Sequence, residues 1–154
     1  MQPGTSRRSP PGAFALHLID RTHPITAGLR EYVWTYNDDM YTNMSFAPDA
    51  KLRVLATAHD TSASYDPKIT GPKYPASAYT PEKLKAMKGM DADHPQMWVQ
   101  DYGRGRVFSI TFGHDEVSLG FDGLKTLLTR GTEWAATGQV TLPVLQEAKD
   151  YPLQ

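Results

Sequence analysis

The chain has 154 residues, no cysteine, and 16 Lys+Arg against 17 Asp+Glu, a net charge of −1. That length suits one domain around one core. The balanced charge gives no field to draw in nucleic acid or an acidic membrane, and the absent thiols exclude disulfides, thiolate metal sites and cysteine nucleophiles. A small neutral ligand is the partner that fits. No stretch approaches the roughly eighteen apolar residues of a membrane span, and no apolar run follows the two opening arginines as a secretory leader would require. A cytoplasmic protein is the expectation.

Residues 1–12 include Pro3, Gly4, Pro10, Pro11 and Gly12 and are too polar to offset their ordering entropy, so they read as a flexible arm. A single α/β domain is expected over 13–140 and a tail over 141–154. The segment "AFALHLID" (13–20) alternates Phe14, Leu16 and Leu18 with Ala15, His17 and Ile19, a strand period with apolar residues on both faces. In "RTHPITAGL" (21–29), Pro24 steers His23 away from helical geometry and shapes a loop. "EYVWTYNDDMYTNM" (31–44) is extended chain broken at Asn37-Asp38-Asp39, and "KLRVLATAHD" (51–60) is a second strong strand.

From Thr61 to Asp93 the chain turns rich in Pro, Ser, Lys and Gly, with only "PEKLKAMKGM" (81–90) helical in pattern. A loop of this length inside a domain, carrying Tyr65, Tyr74 and Tyr79, reads either as a lid over a sugar or as a disordered insertion. "QMWVQDYGRGRVFSITFGHD" (96–115) reads as strand, turn and strand. Phosphate loops need a helix and a lysine after the glycines, whereas here a strand follows, so a hairpin is the economical reading. The last element, "FDGLKTLLTRGTEWAATG" (121–138), spaces Phe121, Leu124, Leu127, Leu128 and Trp134 as one face of a helix. Asp122 is the expected N-cap and Gly138 the terminator, while Gly131 would let the helix approach the sheet closely.

Four motifs in order, "HPITAGL" (23–29), "NDDMY" (37–41), "W...YGRGRVF...FGHD" (98–115) and "LLTRGTEWAATG" (127–138), resemble the ThuA-like family, named for trehalose utilisation. The resemblance implies a flavodoxin-like, class I glutamine amidotransferase-like fold: layers of helices around a mostly parallel sheet, with a β-hairpin and the C-terminal helix packed on it. It also implies strands and helices ahead of His23 that this sequence does not supply. Exposed sheet edges are therefore expected to seek a second copy or a partner subunit. The amidotransferase reaction is excluded with its cysteine. The resemblance instead implies a role in the catabolism of trehalose or a related (keto-)disaccharide.

Candidate catalytic residues are His114, Asp39 and His23, with Asp38, Tyr41, Trp98 and Asp115 as candidate substrate contacts. Carboxylates among aromatic rings suit sugar hydroxyls and faces, and histidine suits proton transfer at neutral pH. Each has a structural alternative: His23 capping its own loop, the Asp38-Asp39 pair forming a turn between strands, and His114 capping the following helix. Glycoside hydrolysis would need Asp39 paired with Asp115 or Glu116 across a cleft. No cofactor is expected, although His23, an aspartate of the 38–39 pair and His114 would suit a divalent metal if they converged. A non-catalytic carbohydrate-binding or subunit-completing module is the alternative function.

Overall fold

The computed structural model describes residues 6–66, 68 and 76–145. In chain order the strands are β1 (Arg7–Arg8), β2 (Gly12–Leu18), β3 (Tyr32–Asp38), β4 (Tyr41–Thr42) and β5 (Arg53–Asp60). Then follow α1 (Pro81–Ala86), β6 (Ala92–Tyr102), β7 (Gly105–Ile110), α2 (Glu116–Leu119) and α3 (Asp122–Thr137). Five strands form one sheet in the order β3-β2-β5-β6-β7, and β1 pairs with β4 in a two-stranded ladder beside it. No helix among the described residues is long and apolar enough to cross a membrane.

Every pairing in that sheet is antiparallel. The mostly parallel sheet implied by the resemblance is thus not what these residues build. The reason is local: parallel neighbours need a crossover of a dozen or more residues, usually a helix, and the long helix here comes after the last strand. Loops and hairpins must return the chain beside itself. The hairpin behaves as read from its glycines, with Tyr102 opposite Gly105 across the Gly103-Arg104 turn.

The alternation in β2 buries Phe14, Leu16 and Leu18 on one face, where they join Val33, Leu55, Met97, Leu124 and Leu127 in the core. Helix α3 covers that face. Gly131 is the point of closest approach, because a Cβ there would overlap the Phe108 ring of β7. The helix starts one residue earlier than the cap expected of Asp122. Phe121 is the N-cap, with no side-chain hydrogen bond, while Gly138 ends the helix in left-handed geometry as expected.

The arm is where the structure departs most from the sequence reading. Residues 1–5 lie outside the described residues, yet Arg7 and Arg8 pair with Thr42 and Tyr41. Ser9 is buried and exchanges hydrogen bonds with Met40: its N–H donates to the Met40 carbonyl at 2.9 Å, and its Oγ accepts from the Met40 N–H at 2.9 Å. Arg7 pairs with Asp60 at 2.5 Å and also donates to the hydroxyl of Tyr65. Tyr65, read as part of a lid, is instead buried and donates to Asp60 at 2.9 Å, with Tyr79 against its ring. Tyr74 lies outside the described residues. Past α3 the chain folds back, the Leu145 N–H donating to Thr126 Oγ1 at 3.1 Å.

Candidate functional site

The site begins with a carboxylate that is entirely committed to structure. Asp38, at the end of β3, is 1% exposed. It accepts from Thr35 Oγ1 at 2.7 Å and from the backbone N–H groups of Asp39 at 3.0 Å, Gly113 at 2.7 Å and His114 at 3.3 Å. A buried carboxylate needs that many donors. The result is a staple from the end of β3 to the loop after β7. Gly113 makes the turn at φ 101, backbone that a side chain would strain. His114 is thereby fixed in place by its own main chain.

A crevice of about 410 Å³ opens beside this staple, lined by Asp38, Asp39, Tyr41, Thr111, Phe112 and His114 among others. That volume falls in the range of small-molecule sites, about 300–1,000 Å³. Tyr41 is held there by Gln96, a fully buried side chain of β6. Gln96 Nε2 donates to the Tyr41 carbonyl at 2.7 Å, and its Oε1 accepts from the Tyr41 N–H at 3.3 Å and from Thr111 Oγ1 at 2.6 Å. One amide thus fixes both walls.

Asp39, the next residue, is bonded quite differently. It is 5% exposed, and its Oδ2 meets Arg8 Nη1 at 2.9 Å and His114 Nδ1 at 3.8 Å. Its Oδ1 is buried without a hydrogen-bond partner among the described residues. A carboxylate oxygen in that state calls for a donor. His114, by contrast, is half-exposed at the rim, and the cap of the next helix is Asp115 rather than His114.

The other candidates fall elsewhere. His23 does not line the crevice. It is buried against Trp134, ring centroids 5.0 Å apart, and its Nδ1 accepts from the Ile25 N–H at 3.2 Å. It caps its own loop, and burial pushes its pKa down. Trp98 packs edge-on against Phe46 outside the crevice lining. The Asp115 carboxylate accepts from the Ser118 N–H at 2.9 Å in a reciprocal capping box and also from Asn37. Those bonds, the one from the Ser118 backbone first, hold its pKa below the usual carboxylate range. The metal-ligand set therefore does not assemble, and the described residues hold no group of three or more His, Cys, Asp or Glu suited to a metal ion. Sequence reasoning missed Arg8 and Gln96. Arg8 lies in a segment that reads as an arm, and a lone glutamine in a strand announces nothing.

The family model for ThuA, described as trehalose utilisation, matches residues 3–135. The chain belongs to the ThuA family. Among solved structures it is similar to a ThuA-like protein from Parabacteroides merdae, at 25% identity and a TM-score of 0.69. The match covers 94% of this chain and 45% of that one, so the chain spans less than half the length of its solved ThuA relative. It matches none of the curated proteins with which it was compared.

Proposed function

We propose that the crevice between β4 and the loop after β7 binds trehalose or a related neutral disaccharide, and that this is the chain's part in trehalose utilisation. The observation that carries the reading is Asp39, a buried carboxylate with one unpartnered oxygen beside a half-exposed histidine. In this reading Asp39 accepts a hydroxyl of the sugar. His114, close to the same carboxylate, is the group positioned to move a proton. Tyr41 and Phe112 supply apolar wall for a sugar face. The named crevice residues include two carboxylates and no Lys or Arg, which favours a neutral sugar over a phosphorylated one.

Paired-carboxylate hydrolysis has little support. Asp38 is fully bonded, Asp115 caps a helix, and neither Asp115 nor Glu116 lines the crevice. That favours a binding module, or proton-transfer chemistry at His114, over a two-carboxylate glycosidase. We further propose that the antiparallel sheet is one part of a layered, amidotransferase-like architecture. Calorimetry with trehalose tests the site. Asp39→Asn should weaken binding about tenfold or more, the loss of one charge-assisted hydrogen bond. Turnover of a keto-disaccharide separates catalysis from binding: a His114→Ala protein that still binds but no longer turns over is a catalytic outcome. Equal affinity in wild type and Asp39→Asn would sink the site.

A further inference from the structure

We infer that Arg8 is a positioning residue of this site, delivered to it by the β1–β4 ladder. The inference rests on the crevice being the carbohydrate site and adds a residue that the sequence motifs do not contain. Three observations carry it. Arg8 sits opposite Tyr41 in that ladder, and the Ser9–Met40 exchange locks the register one residue on. Its guanidinium is the nearest cation to Asp39, with Nη1 2.9 Å from Oδ2, whereas His114 Nδ1 stands 3.8 Å from the same oxygen. The opposite oxygen, Oδ1, is the unpartnered one.

The division of labour between the two oxygens follows. Arg8 occupies Oδ2 and thereby fixes the rotation of the carboxylate, so that Oδ1 is left to accept from the ligand. It also supplies the positive charge that a nearly buried carboxylate needs. Without it, His114 is the remaining partner for Oδ2, and the carboxylate turns toward the imidazole instead of the sugar. Arg8 acts through Asp39 and is not among the residues lining the crevice, and its own side chain is more than half exposed.

The experiment is a double-mutant cycle read by calorimetry with trehalose, using wild type, Arg8→Ala, Arg8→Lys, Asp39→Asn and the Arg8→Ala/Asp39→Asn double variant. Arg8→Ala is expected to weaken binding roughly five- to tenfold, and Arg8→Lys, which keeps the charge, to restore most of it. The double variant is expected to bind no more weakly than Asp39→Asn alone, because Arg8 has nothing left to position. Wild-type affinity in Arg8→Ala, with Asp39→Asn impaired, overturns the role of Arg8 and leaves the site standing. So does a failure of Arg8→Lys to rescue, or full additivity in the double variant. No saturable binding of trehalose by wild type overturns the sugar site itself, and this inference with it.

Discussion

Asp20 shows how a single carboxylate shapes the His23 loop. One oxygen accepts from the N–H groups of Thr22 and His23, both at 3.2 Å, and from the Thr22 hydroxyl at 2.9 Å, while the other takes Arg53 Nε at 2.6 Å. The Arg53 bond above all holds this carboxyl down to about 2. A depressed acid contributes stability that is present above its unfolded value, near 4, and lost as pH falls toward 2. Asp20→Asn should therefore melt about 2–4 °C lower at pH 7, for a loss of roughly 1 kcal/mol discounted for solvent screening, and the gap should close as pH falls through about 2. A gap that stays at its full neutral-pH size down to pH 2 would assign the loss to something other than this ionised carboxylate. His23 acts in the same direction. Burial pushes it down, so its contribution is complete above the ordinary histidine value and fades as pH drops below it. Asp38 and Asp39 illustrate the same scale at the site: adjacent carboxylates, one fully bonded and one half-satisfied, with their roles assigned by surroundings that neighbouring letters in a sequence do not reveal.

Among the elements, α3 and the β6–β7 hairpin were legible because their signals are local. A helical stripe and a two-residue glycine turn each declare themselves within a few residues. The close approach at Gly131 is the sharpest case. Alanine there would ordinarily gain about 1 kcal/mol of helix propensity, but its methyl would press into the Phe108 ring, so Gly131→Ala should lower stability by about 1–3 kcal/mol. A urea midpoint equal to or above wild type would show that the helix can shift away without cost. Strand β1 was not legible for the opposite reason. Two arginines among prolines form a strand only when Tyr41 and Thr42 are beside them, and that pairing spans more than thirty residues of sequence.

At the scale of the whole molecule, β3 and β7 are the outer strands of the sheet among the described residues. An outer strand keeps backbone donors and acceptors that another chain can pair. We propose that a second copy of this chain takes one of these edges. Sedimentation across a range of concentrations should show a dimer, and a monomer at every concentration would contradict the proposal. The sequence by itself determined the family, the main strands and the final helix in their chain order, and most of the residues from which a site had to be drawn. Those properties depend on spacing, which is written in one dimension. Only the tertiary structure decided that the sheet is antiparallel and that Asp39 and His114 share a crevice while His23 caps a loop. It also decided that Asp115 is a helix cap and that Arg8, from the segment read as an arm, reaches Asp39. The physical reason is that a carboxylate's role is set by how many donors reach it and how much water is left beside it, and both depend on residues far apart in the chain.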